Sequence, residues 1–172
     1  MLEREAYSYN LPKELIAQHP LKTRDASRLM HVNRATQIVS HRKFADLDSL
    51  LRCDDVLVVN NSKVFPARLF GRKDNGTEVE VLLLHPAADG TWKCIVHPGK
   101  RLKSPQWLQF SESLKGFVSL GDEEGMRDIS FETEGDFWEE INHIGHVPLP
   151  PYITRHDCDD DKNRYQTIYA PQ

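Results

Sequence analysis

Three clusters of polar side chains in this 172-residue sequence could do chemistry. The first is Asn60-Asn61-Ser62-Lys63, with Arg68 a little further on, and it follows an unbroken apolar run, Val56 to Val59. Amides and a hydroxyl supply donors and acceptors, and lysine and arginine supply positive charge. Together they suit a polar, anionic or carboxylate-bearing ligand. The same residues also make good turn chemistry. The second cluster is Arg24, Asp25, Ser27 and Arg28. Two arginines four apart around a carboxylate fit a phosphate, or a loop that satisfies its own charges. The third is His97-Pro98-Gly99-Lys100-Arg101, a turn displaying two cations. It suits a nucleic-acid backbone or a solvated hairpin tip.

Several common chemistries have no footing here. The sequence contains no Gly-rich dinucleotide fingerprint, Walker loop, Cys-x-x-Cys, His-Glu-x-x-His or Gly-x-Ser-x-Gly elbow. Cys94 and His97 are three apart on a predicted strand and so point to opposite faces, which makes a shared metal difficult. A structural or catalytic zinc is not expected from these motifs. Three widely spaced cysteines point to a reducing compartment. The N-terminus MLEREAYSYN has no apolar signal region, and no run approaches the roughly 18 apolar residues of a membrane span. The expectation is a cytoplasmic protein with no membrane association. A net charge of −4 argues against nonspecific nucleic-acid binding. The charge is nevertheless uneven: residues 1–73 hold 13 basic against 8 acidic residues, and residues 74–172 hold 9 against 18. Such asymmetry marks either a face for a polyanion or a chance distribution.

The elements that must position these groups follow from pattern. Pro12 to Gln18 reads as a short helix stopped by Pro20. Leu29 to Val32 and Ile38 to His41 read as strands, and Phe44 to Leu51 has helical spacing. Val56 to Val59, apolar on both faces, predicts a fully buried strand whose carboxyl end carries the first cluster. From Ala67 the texture becomes that of consecutive short strands. Ala67 to Arg72 and Thr77 to Leu84 form a predicted hairpin about Asn75-Gly76. Further strands are predicted at Trp92 to His97, Trp107 to Phe110, Gly116 to Leu120 and Ile129 to Glu132, the pattern of a small barrel or sandwich. Asp136 to His143 returns to a helix ended by Gly145. The charged stretch RHDCDDDK, 155–162, predicts an exposed loop.

The ordered blocks RDASRL, VLVVNNSKVFPARLFGRK, VEVLLL, PGKRLK, GHVPLPPYI and RYQTIYA closely resemble the S-adenosylmethionine:tRNA ribosyltransferase-isomerase family of queuosine biosynthesis, over nearly the whole chain. The resemblance implies a mixed α+β fold: a partial α/β domain with an inserted small antiparallel β-barrel. The implied domains are 1–66, an inserted barrel at 67–135, and a return to the α/β domain at 136–172. It implies an enzyme that moves the ribosyl part of S-adenosylmethionine onto 7-aminomethyl-7-deazaguanine in tRNA. Epoxyqueuosine forms; adenine and methionine leave. S-adenosylmethionine is a substrate, no separate cofactor is needed, and the full-length family member is monomeric. On the resemblance, Asn60, Asn61, Ser62, Arg68, Arg24, Asp25, Ser27 and Arg28 contact substrate. Arg72, Lys100 and Arg101 contact tRNA. No residue is singled out as the catalytic base. Lys63 stands where arginine is common in the family, which keeps charge but loses bidentate contact. The family continues beyond RYQTIYA where this sequence ends, so the chain is expected to be an N-terminal portion, inactive alone. A non-catalytic RNA-binding barrel is the alternative.

Overall fold

A computed structural model describes residues 4–99, 102, 105–119 and 126–170. The chain divides into two compact units. One comprises Met1–Asn60 with Pro151–Arg155, the other Asn61–Pro150 with His156–Gln172.

The second unit is built on the expected barrel. Its strands are β3 (Arg68–Arg72), β4 (Glu78–Pro86), β5 (Trp92–His97), β6 (Gln106–Gln109), β7 (Leu114–Val118) and β8 (Met126–Thr133), preceded in the chain by β1 and β2 of the other unit. They close in the order β3-β4-β5-β8-β7-β6, and every pairing is antiparallel. Alternation in the sequence becomes alternation in space. Leu69, Val79, Val81, Leu108, Leu114 and Ile129 point inward and are fully buried. Each such side chain contributes about 1.5–3 kcal/mol relative to exposure. Cys94 lies among them, and desolvation pushes its thiol up to about 12, with the nearby Asp128 charge adding to the shift.

The β3–β4 turn is one residue longer than the two-residue Asn-Gly expectation. Lys73 N donates to Thr77 O at 3.0 Å, so the loop is residues 74–76, with Gly76 at φ +79° in the left-handed position. Asn75 Oδ1 accepts from Thr77 N and fixes the loop locally. Gly is the residue that takes this conformation without a Cβ penalty.

Helix α1 (Phe137–Ile144) starts where Asp136 accepts a hydrogen bond from Glu139 N at 2.9 Å. Its apolar stripe packs on the barrel: Ile141 is fully buried, and the Phe137 ring lies 5.3 Å from Phe131 and 5.7 Å from Trp92. Gly145 ends the helix at φ −77°. Its smallness is what the position needs, because a Cβ there would collide with the carbonyl oxygens of Pro66 and Ile141. The stretch 155–162, expected as an exposed loop, instead runs into helix α2 (Asp159–Arg164). Asp161 is buried and its Oδ2 accepts from Cys158 N at 2.9 Å. The acidic run is therefore a helix start, where negative charge meets unpaired N–H groups.

The first unit holds the hairpin β1 (Arg28–Asn33) and β2 (Ile38–Lys43), in register from Arg28↔Lys43 to Asn33↔Ile38. Its helical segments are 3₁₀ turns, Arg4–Tyr7, Lys13–Leu15, Arg24–Ala26 and Phe44–Leu50, rather than the regular helices expected at 12–18 and 44–51. Within this unit Gln18 ties down residues 152–155: its side chain meets Tyr152 O and Thr154 N, and its carbonyl accepts from Arg155 Nε at 2.7 Å. Val56 to Val59 is not a strand. Val56 is 87% and Val58 88% exposed. A run that is apolar on both faces is buried only between neighbouring strands and covering layers, and no described strand pairs with it. Among the described residues no helix is long and apolar enough to cross a membrane.

Candidate functional site

The second unit contains a largely apolar cleft of about 190 Å³ lined by Lys63, Pro66, Asn142, Lys162, Tyr165 and Gln166, together with Val64, Phe65 and Val147. Segment 63–66 has no regular structure, so side chains must hold it. Two do so. The Gln166 carboxamide grips the backbone of Val64 on both sides: Oε1 accepts from Val64 N at 2.9 Å, and Nε2 donates to Val64 O. This reproduces a strand-like pair with one side chain. The Phe65 ring anchors the segment as well, 5.5 Å from Trp138 and 6.2 Å from Trp92. Lys63 is thereby delivered to the cleft from a fixed backbone. Helix α1 supplies Asn142, and α2 with the residues after it supplies Lys162, Tyr165 and Gln166.

The lining carries two ammonium groups, a phenol and two carboxamides, and no carboxylate. Gln166 is committed to Val64 and Lys162 Nζ lies 3.9 Å from Asp159 Oδ1, which leaves Lys63, Tyr165 and Asn142 as the donors suited to a carboxylate or phosphate. Lys162 also borders a second cleft of about 400 Å³, with His143, His146, Asp157 and Asp159. There the Asp157 carboxylate, largely buried, faces His146 Nδ1 at 2.9 Å and accepts from Val147 N at 3.0 Å. A carboxylate on Nδ1 fixes the orientation of the imidazole ring.

The sequence-predicted residues are distributed as follows. Asn61 and Ser62 are exposed and precede Lys63 in the chain, while Asn60 ends the other unit. Arg68 is half-buried on β3. Its Nε lies 2.9 Å from Glu80 Oε1 as an ion pair not aligned for a hydrogen bond, and Nη2 reaches Leu149 O at 3.4 Å. Arg24, Asp25, Ser27 and Arg28 are exposed in the first unit; Arg24 and Asp25 form part of a 3₁₀ turn and Arg28 opens β1. Arg72 is exposed on the barrel, 3.7 Å from Glu78. Lys100 and Arg101 lie outside the described residues. Sequence reasoning missed Asn142, Lys162, Tyr165 and Gln166 as lining residues. Tyr165 and Gln166 stood inside the quoted RYQTIYA block, which was the available signal.

The fold and cleft define a mixed α+β protein with a closed antiparallel barrel and a cleft formed by segment 63–66, α1 and the stretch through α2. A family model described as "Queuosine biosynthesis protein" matches residues 4–172, and the chain belongs to that family. Two similar proteins are each named S-adenosylmethionine:tRNA ribosyltransferase-isomerase. That of Halothermothrix orenii is 46% identical over 168 residues, covering 96% of this chain and 49% of its own. That of Syntrophotalea carbinolica is 44% identical over 166 residues, covering 95% and 48%. A crystal structure of S-adenosylmethionine tRNA ribosyltransferase from Thermotoga maritima shares 39% identity, covers 81% of this chain and 48% of that one, and superposes with a TM-score of 0.39. The chain spans about half the length of the curated relatives it matches.

Proposed function

We propose that this chain supplies part of an S-adenosylmethionine:tRNA ribosyltransferase-isomerase. The reaction transfers and isomerises the ribosyl moiety of S-adenosylmethionine onto 7-aminomethyl-7-deazaguanine in tRNA. It gives epoxyqueuosine and releases adenine and methionine. The carrying observation is the cleft lined by both Lys63 and Lys162, the latter 3.9 Å from Asp159, in a chain of this family. A sulfonium acidifies the neighbouring C–H, and methionine leaves as a neutral thioether. The site therefore needs a placed base and hydrogen-bond donors for the departing adenine. The two ammonium groups hold an anionic group of a substrate, the methionyl carboxylate or a tRNA phosphate. Asn60, Asn61, Ser62, Arg68, Arg24, Asp25, Ser27 and Arg28 remain proposed substrate contacts, and Arg72, Lys100 and Arg101 proposed tRNA contacts. S-adenosylmethionine serves as substrate, and the reading requires no metal or separate cofactor. A tRNA substrate places the work in the cytoplasm.

Two measurements test this. Equilibrium binding compares tRNA bearing 7-aminomethyl-7-deazaguanine with the same tRNA bearing guanine. A preference for the modified tRNA supports the reading; equal binding, or binding of neither, overturns it. Adenine release from S-adenosylmethionine is followed with the Halothermothrix orenii enzyme as control. This chain alone is expected to release none, since Val56 to Val59 stands uncovered. Release at the control rate would show that these residues suffice. The closed barrel is self-contained, which favours RNA binding without chemistry as the second reading. RNA binding indifferent to the modified base would select it.

A further inference from the structure

We propose that the cleft lined by Lys63 seats the methionyl arm of S-adenosylmethionine. The inference rests on the transferase reading above and commits the cleft to one arm of that substrate. Free methionine, released from the same arm, fits the same seat. Among the described residues none partners the Lys63 ammonium, the Asn142 carboxamide or the Tyr165 phenol, although all three line the cleft. The apolar walls are Val64, Phe65, Pro66 and Val147. These walls are held in place. The Gln166 carboxamide clamps Val64, the Phe65 ring meets Trp138 edge-on at 5.5 Å, and Val147 N donates to Asp157 at 3.0 Å. A fixed apolar slot with a few open polar groups is the ordinary form of a small-molecule site.

Volume, charge and walls each select the ligand. About 190 Å³ is below the roughly 300–1,000 Å³ of pockets that enclose a whole drug-sized ligand, so the cleft takes one arm of the molecule. Adenine is neutral and gives Lys63 no counter-charge. The methionyl carboxylate supplies one, with the Tyr165 phenol as a second donor. The Asn142 carboxamide accepts as well as donates and suits the α-ammonium. Phosphate would satisfy the lysine equally, but it is polar all round and gains nothing from Val64, Phe65, Pro66 and Val147. The methylenes and sulfur of the methionyl arm do gain by burial there. An amphipathic amino-acid carboxylate is therefore favoured over both a purine and a phosphate.

The test is isothermal titration calorimetry on the 172-residue chain, with L-methionine as the probe. Methionine is expected to bind and S-adenosylmethionine to displace it, whereas adenosine and inorganic phosphate should not. Norleucine, with a methylene in place of sulfur, should bind about as well as methionine. Alanine has the same head without the arm and should bind at least about tenfold more weakly, as loss of two or more buried apolar groups requires. Lys63→Gln removes a charge-assisted hydrogen bond and should weaken methionine by roughly tenfold or more. Methionine methyl ester lacks the carboxylate, so it should bind parent and Lys63→Gln equally poorly. Lys63→Arg keeps the charge and should keep most of the affinity. Lys63 is exposed, and thermal melts check each variant; for one that melts early, the ligand series on the parent decides. No methionine binding, alanine or phosphate binding as tightly as methionine, methionine that S-adenosylmethionine does not displace, or a folded Lys63→Gln chain that binds like the parent would each overturn the seat. The tRNA comparison is read separately. A seat that fails while modified tRNA is still preferred leaves the transferase reading intact. Lys63-dependent methionine binding without that preference removes the transferase reading alone.

Discussion

Replacing Gln166 by glutamate changes one atom group in the clamp on Val64, and its effect should depend on pH with a definite sign. In the native protein Oε1 accepts from Val64 N, and Nε2 donates to Val64 O. Glutamate keeps the acceptor. At neutral pH it places a second oxygen against the Val64 carbonyl, so a hydrogen bond is lost and a half-buried carbonyl faces a lone pair. Leaving that carbonyl unsatisfied costs about 1–3 kcal/mol near pH 7. This corresponds to a fall of roughly 5–20 °C in melting temperature for a unit of this size. A protonated carboxyl group can donate as the amide did. The folded pKa of the introduced carboxyl group is therefore raised above the unfolded glutamate value of about 4.3. The stabilisation is fully present below that value and is lost as pH rises through the folded pKa. Urea titrations of Gln166→Glu and parent at pH 7 and near pH 4, each compared at the same pH, measure this. The gap should shrink markedly at the acid end, whereas Gln166→Ala should show a gap of about 1–3 kcal/mol at both. A Gln166→Glu variant as stable as the parent at pH 7, or equally destabilised at both pH values, would refute the clamp as the element holding Lys63 in place.

Glu140 accepts from Ser113 Oγ at 2.6 Å and from Ser111 Oγ at 3.0 Å, and these bonds hold its carboxyl below its ordinary value. Its contribution is present above the ordinary glutamate value and lost as pH falls through the folded one. Glu140→Gln should therefore flatten the acid limb of the stability curve, read by melting temperature from about pH 6 to about pH 3. Native protein should react quickly with a thiol reagent at Cys53 and Cys158 only, because Cys94 is buried with its thiol pushed up to about 12; fast native labelling of all three would contradict the barrel core. In Gly71→Ala the new Cβ would lie 2.8 Å from Phe110 Cε1 and 3.2 Å from Leu108 Cβ, so the Phe110 ring must yield. A cost of about 1–3 kcal/mol by urea unfolding is expected, and Phe110→Leu in the same chain should recover part of it.

Much of the barrel was legible because its information is local. Asn75-Gly76 with flanking alternation announces a hairpin, and only the loop length needed the structure. Asp136 is a readable cap. Val56 to Val59 misled for a physical reason: an apolar run states that a strand wants neighbours, not that they are present. The acidic run at 159–161 read as solvated charge, yet it opens α2, and Asp161 is buried there with its Oδ2 accepting from Cys158 N. The candidate cleft was hardest to foresee. Lys63 and Gln166 are far apart in sequence, and the Gln166–Val64 contact obeys no periodicity. Of the polar cluster Asn60, Asn61, Ser62, Lys63 and Arg68 only Lys63 lines the cleft, and the other lining residues come from α1 and the segment through α2, which no local pattern connects.

The barrel also has a seam. Around its wall the paired strands share four to six register positions, but β3 and β6 share one among the described residues, Arg72↔Gln109. The structure is thus a rolled six-stranded sheet whose two margins are buttoned rather than stitched. Backbone amides on the facing margins of β3 and β6 should take up deuterium first, by unrolling at the seam, while those between β4, β5 and β8 wait for global unfolding. A breathing motion of this kind needs no rearrangement of either hairpin. It gives the β6 edge, and Trp107 with it, a freedom that the rest of the wall lacks.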